Sequence, residues 1–254
     1  MTQAEEFSLH GHLRLWWKAR RLQSGWFSTI RGFLRILWDF AIDSLPERRR
    51  SRYGDADYDW DYRVNTTSGS LTRHERFLGM LHSPYQPTDP ALFHEILQAL
   101  LKSTRIDLQK FTFLDVGSGK GRTLLMASDY PFRRIVGVEL LPTLHQAAQK
   151  NIAAYRSDKQ QCFALEPVCA DASRFEFAPE PTVLYLFNPL PEYELARMLE
   201  NLQGSLERLP RDLFLLYHNP LLESQVAMQP WLEKITGTQQ FAIYRFRGSG
   251  DSQK

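Results

Sequence analysis

The stretch FLDVGSGKGRTLL, Phe113 to Leu125, decides the fold. An apolar run reaching Asp115 and Val116 passes directly into glycines at 117, 119 and 121, and a second apolar run follows at once. Strand, bare-backbone turn and helix read in that order. The glycines allow a sharp bend and let a ligand lie against main-chain N–H groups at the start of a helix. Their spacing, D-x-G-x-G-x-G from Asp115 to Gly121, is not the G-x-G-x-x-G of dinucleotide-binding folds.

Outward from this turn the pattern alternates. PALFHEILQALLKS has a helical period ahead of it, and RRIVGVEL (strand) and PTLHQAAQKNIAAY (helix) follow it. Then come CFALEPVCAD (strand), TVLYLFNP (strand), EYELARMLENL (helix) and DLFLLYHNP (strand). A short helix after Pro220 and a hairpin in LEKITGTQQFAIYRF close the chain. Nearly continuous apolar strands between helices predict a parallel sheet covered on both faces. Ligands of such sheets bind at the carboxyl ends of the strands, near the switch point. Polar landmarks stand at those ends: Asp115 with the glycines, Glu139, Asp171 with Ala172, and Asn188.

Taken together, residues from about Tyr85 to Phe246 resemble the class I S-adenosylmethionine-dependent methyltransferases. LDVGSGKG resembles the family's first motif, VGVEL its acidic second-strand motif, CADAS its adenine-contacting loop, and LYLFNPLP its fourth-strand catalytic position. The resemblance implies a Rossmann-like, mostly parallel seven-stranded α/β sheet closed by an antiparallel hairpin, with S-adenosyl-L-methionine as cofactor. It also implies site roles. Asp115 and the backbone of Gly117, Ser118, Gly119 and Gly121 would hold the methionine moiety, Glu139 with Leu140 the ribose, and Asp171 with Ala172 the adenine. SPYQPT resembles an element of protein lysine methyltransferases that closes over the cofactor and makes Tyr85 and Thr88 further candidates; Pro87 and Thr88 starting a helix is the alternative.

Methyl transfer from a sulfonium is an in-line displacement that needs alignment and exclusion of water, and no metal. NPLP, Asn188 to Pro191, resembles the N-P-P-aromatic motif of nitrogen methyltransferases, in which Asn and backbone carbonyls accept the substrate's N–H bonds. Asn188 and Pro189 are therefore catalytic candidates, against a plain helix cap. Leu190 and Pro191 depart from the motif and remove the aromatic that would stack on a planar acceptor, which leaves Phe187, Tyr193 or an aromatic of residues 57–62 to supply packing. Tyr217 and His218 are expected at the same rim, with His218 either a general base or structural.

Composition narrows the rest. The 254 residues carry a net charge of +2 and make no general case for nucleic acid. Residues 1–50 hold nine Lys or Arg against five Asp or Glu, while the remainder is slightly acidic. Trp26, Ile30, Phe33, Leu34, Leu37 and Ala41 recur at helical spacing, with Arg31, Arg35, Asp39 and Asp43 on another face, Ser24 as N-cap and Pro46 as stop. This basic amphipathic helix either packs on the protein or a second copy, or lies peripherally on a membrane. Residues 51–84 read as linker and cap, with Arg48–Ser70 as an irregular loop, and 85–254 as the methyltransferase domain. The two cysteines, Cys162 and Cys169, read as buried free thiols. With no membrane-spanning run or secretory leader, a cytoplasmic location is expected. Three function classes result: a methyltransferase acting on nitrogen of a protein side chain (lysine-like) or small molecule; a non-catalytic cofactor-binding adaptor docking through the N-terminal helix; and a nicotinamide oxidoreductase, which the glycine spacing disfavours.

Overall fold

The computed structural model describes residues 17, 18, 21, 26–35, 37, 38, 56–67, 86–187 and 190–247. It divides into two compact units, one of Met1–Asp61 with Thr67–Pro87 and one of Tyr62–Thr66 with Thr88–Lys254. Ser24, Asp39, Ala41, Asp43 and Pro46, part of the expected first helix, lie outside the described residues.

In the first unit, residues 26–35, 37 and 38 are helical. Thr29 is fully buried, and Phe33 meets Trp17 edge-on with ring centroids 5.8 Å apart. The loop expected over Arg48–Ser70 contains a helix instead, α1 (Ala56–Tyr62). Alternating Asp and aromatic residues carry no apolar period, so the pattern hid it. Asp57 and Asp59 in its first turn offset the positive helix end, and an Asp59 carboxylate oxygen accepts from the Thr67 N–H at 2.9 Å.

The second unit is built on a seven-stranded sheet of order β3-β2-β1-β4-β5-β7-β6. Its elements run α2 (Pro90–Thr104), β1 (Thr112–Val116), α3 (Arg122–Ala127), β2 (Arg134–Glu139), α4 (Pro142–Ala154), β3 (Leu165–Cys169), β4 (Thr182–Phe187), α5 (Glu192–Arg208), β5 (Leu213–His218), α6 (Glu223–Ala227), β6 (Leu232–Gly237) and β7 (Phe241–Phe246). Strands β1 to β5 are parallel, and β7 runs antiparallel to both β5 and β6. Helix α2 starts where the Asp89 carboxylate accepts from Leu92 N at 2.9 Å and Pro90 presets the first turn.

The period-two alternation of the strands sorts the core into two faces. Leu114, Val116, Leu184, Leu186, Leu215 and Tyr217 join one buried cluster with Leu195, Met198, Leu199, Leu202 and Leu206 of α5, whose spacing puts them on one helical stripe. Each such side chain contributes about 1.5–3 kcal/mol by leaving water. On the other face Phe113 and Tyr185 pack against Phe93 of α2 at centroid distances of 6.0 and 5.6 Å. Because β2 and β4 flank β1, the connections leave β1 on opposite sides, and the crevice of the switch point opens at the carboxyl ends of β1 and β4.

Candidate active site

The bend after β1 is built by backbone that side chains would obstruct. Gly117, Gly119 and Gly121 have φ of 80°, 54° and 83°, in the left-handed region. The N–H groups of Gly117 and Ser118 both donate to the Val138 carbonyl, at 2.8 and 3.1 Å, which folds the loop over the end of β2. A fourth glycine matters that the motif does not contain. A Cβ on Gly137 would stand 2.6 Å from Leu124 Cδ1 and 2.8 Å from Ser118 Oγ, so β2 must be bare where the loop lies on it.

Glu139 ends β2 buried, and each carboxylate oxygen is engaged by main chain. Gly119 N donates to Oε2 and Leu141 N to Oε1, both at 2.8 Å. One carboxylate thus fixes the tip of the glycine turn and the exit from β2, while the remaining lone pairs of each oxygen can accept hydroxyls.

Asp115 is buried beneath the turn, and its Oδ2 has no partner among the described residues. Burial, opposed by a hydrogen bond from Thr123 and reinforced by the Glu139 charge, raises its carboxyl to about 8. A buried carboxylate oxygen without a donor is expensive, and a cationic donor would relieve it. Ser118 Oγ is likewise buried without a partner among the described residues.

From Asp115 a line of buried polar side chains runs along the same face of the sheet. Thr123 is hydrogen-bonded to Asp115, and its hydroxyl lies 3.4 Å from that of Thr88. Thr88 is hydrogen-bonded to the fully buried Tyr185, whose hydroxyl lies 2.7 Å from His218 Nδ1. The His218 ring stacks on Phe187, centroids 3.9 Å apart and planes 9° from parallel. Burial, partly offset by the Asp89 charge, lowers His218 to about 4. It is therefore a neutral imidazole at pH 7.

The segment Tyr62–Thr66 is fastened beside the glycine loop. The Asn151 side chain accepts from Asn65 N at 2.8 Å and donates to the carbonyls of Asn65 and Lys120 at 3.1 and 2.9 Å. Arg122 Nε donates to Thr66 Oγ1 at 2.6 Å, and the Tyr62 ring lies 5.1 Å from that of Tyr155. Sequence reasoning missed this strap; the only hint was a pair of cations, Lys120 and Arg122, inside an otherwise apolar motif. It also missed Tyr185, which reads as one more core aromatic of β4.

Asp115, Gly117, Ser118, Gly119, Gly121 and Glu139 lie together at the ends of β1 and β2. Leu140 follows them directly, its carbonyl facing Cys169 Sγ at 3.9 Å. Asp171 is exposed and caps the turn Ala172–Arg174 by accepting from Ser173 N at 2.8 Å, with Ala172 buried beneath it. Thr88 is buried next to Thr123, while Asp89 rather than Thr88 caps α2. Tyr85, Asn188 and Pro189 lie outside the described residues. Helix α5 takes Pro191 as its N-cap, and Leu190 packs on the core. Tyr193 is 44% exposed with Arg197 over its ring, and Phe187 is the aromatic placed against His218.

Two expectations fail. Tyr217 does not share the rim with His218, because neighbours on a strand face opposite ways, and its hydroxyl accepts from Leu222 N in the α5-side core. Cys162 is buried but Cys169 is exposed, since β3 is the edge strand and only half covered. Both thiols are free.

The mostly parallel seven-stranded sheet with its reversed seventh strand is a Rossmann-like architecture, and the glycine turn, Glu139 and Asp115 lie at the carboxyl ends of its strands β1 and β2. No protein-family model and no curated protein matches the chain. Among solved structures it is similar to an RNA methyltransferase from Salinibacter ruber in complex with S-adenosyl-L-homocysteine, at 18% identity over 66% of this chain and 99% of that one, with a TM-score of 0.43. It is similar to the glycopeptide N-methyltransferase MtfA at 14% identity over 62% and 90%, TM-score 0.45. A further likeness is to an S-adenosylmethionine-dependent methyltransferase from Anabaena variabilis, 12% identical over 60% and 84%, TM-score 0.43.

Proposed function

We propose that the protein transfers a methyl group from S-adenosyl-L-methionine to nitrogen, on a lysine-like protein side chain or on a small molecule. The observation that carries this reading is the buried, donorless Oδ2 of Asp115 beneath a glycine turn that Glu139 holds in place. Asp115 would accept the ammonium of the amino acid tail, the N–H groups of the turn would meet its carboxylate, and Glu139 would accept the ribose hydroxyls. Asp171 and Ala172, one strand over, would receive the adenine. When bound, the cofactor supplies an electrophilic methyl on a sulfonium.

The chain's own work is then alignment. The carbonyl groups of Asn188 and Pro189 accept the N–H bonds of the incoming nitrogen and leave its lone pair directed at the methyl carbon. With the cofactor bound, methyl transfer would leave positive charge on that nitrogen, and those carbonyls would stabilise it. His218, neutral and stacked on Phe187, serves this rim as a hydrogen-bonding group rather than as a base titrating near pH 6.5.

The test is incubation of the full chain with methyl-labelled S-adenosyl-L-methionine and cell lysate, followed by separation of protein and small-molecule fractions. Label should appear in one fraction and be lost with Asn188→Ala. Tight binding of S-adenosyl-L-homocysteine without label in any acceptor would favour the cofactor-binding adaptor instead.

A further inference from the structure

We propose that the N-terminal helix is an interfacial membrane anchor, lying in the plane of an anionic lipid surface with its outward apolar stripe sunk among the acyl chains. Six large apolar side chains of residues 26–38 are exposed, from 40% at Ile30 and Leu37 through 55–67% at Trp26, Leu34 and Trp38 to 92% at Phe27. At about 100° per residue they fall within one arc of roughly 120° along ~20 Å of helix. Among the described residues the inner side is taken by Thr29, fully buried, and by Phe33, against Trp17. Trp26, at the near edge of the stripe, also meets Trp17 edge-on at 5.9 Å, and the other five side chains remain exposed as an apolar face.

Charge distinguishes a bilayer from a second copy of the chain. Arg31 and Arg35, both exposed, follow directly on one edge of the stripe, and Lys18 and Arg21 are exposed on the preceding helical residues, Arg21 over the Trp26 ring at 5.4 Å. The first fifty residues carry a surplus of four positive charges in a chain otherwise slightly acidic. A two-fold pair would crowd the cations flanking the two stripes into one interface, whereas anionic headgroups would neutralise Arg31 and Lys18. Trp26 and Trp38 stand near the two ends of the stripe, and indole, with an apolar body and one N–H, suits the headgroup boundary. No described helix is long and apolar enough to cross the membrane, so the helix would lie on it.

The experiment is co-sedimentation of the full chain with vesicles of pure phosphatidylcholine and of phosphatidylcholine containing about a third phosphatidylglycerol. The chain should bind the anionic vesicles, and high salt should weaken binding. The double variant Phe27→Asp, Leu34→Asp should lose at least ~tenfold in vesicle affinity while its circular dichroism and unfolding midpoint stay unchanged, since both positions are exposed. Absence of binding to anionic vesicles would overturn the proposal, as would full binding by the double variant. So would a chain that dimerises without binding vesicles and that the same substitutions render monomeric.

Discussion

Binding of S-adenosyl-L-homocysteine should depend steeply on pH because Asp115 must give up a proton to receive an ammonium. With its carboxyl near 8 in the empty site, only about a tenth is ionised at pH 7 and about a hundredth at pH 6. The ligand's own ammonium, part of an amino acid tail, stays charged over this range, so the ionised fraction of Asp115 sets the dependence. That fraction rises roughly ninefold from pH 6 to pH 7, about 1.3 kcal/mol, and levels off above pH 8. Isothermal titration at pH 6, 7 and 8 reads the affinity directly, and repetition at pH 7 in buffers of different ionisation enthalpy should show release of close to one proton. Methylthioadenosine, which lacks the amino acid tail, should bind with little pH dependence, and Asp115→Asn should flatten the curve for the homocysteine nucleoside. Equal affinities at pH 6 and pH 7, without proton release, would refute the placing of the ammonium on Asp115.

Other consequences are simpler to read. Gly137→Ala should cost about 1–3 kcal/mol in chemical denaturation and weaken nucleoside binding, because the new methyl collides with Leu124 and Ser118 under the glycine turn. Tyr185→Phe should cost about 1–3 kcal/mol by removing the hydroxyl between Thr88 and His218 inside the core. His218, held near 4 when folded, contributes stability that is present above about pH 6.5 and lost as pH falls toward 4. The stability difference between the wild type and His218→Gln should therefore shrink by up to about 3 kcal/mol between pH 7 and pH 4. The His218 imidazole signals should show no titration near 6.5.

The sheet was legible because its strands are uninterrupted apolar runs and its turns carry their own chemistry. Phe113 to Gly121 could be little other than strand, turn and helix start. Glu139 was legible for a similar reason, a lone carboxylate closing an apolar strand. What stayed hidden depends on contacts distant in sequence. Asn151 reads as a polar residue on a helix, yet it holds Asn65, 86 residues away. Tyr185 and Thr123 look like ordinary strand and helix residues until the fold sets them in line between Asp115 and His218. Helix α1 escaped because Asp at every second position suggests a solvated loop, whereas its acids act on the helix dipole and on the backbone at Thr67. Periodicity put Phe33 on the same apolar face as Leu34, but the two part company, one toward Trp17 and the other outward.

A crystal structure of the full chain with S-adenosyl-L-homocysteine bears most directly on the cofactor assignment. The ligand's ammonium should lie within hydrogen-bond distance of Asp115 Oδ2, and its ribose hydroxyls on the carboxylate of Glu139. A nucleoside bound away from the glycine turn, or crystals grown at saturating ligand with water alone between Asp115 and Glu139, would contradict it.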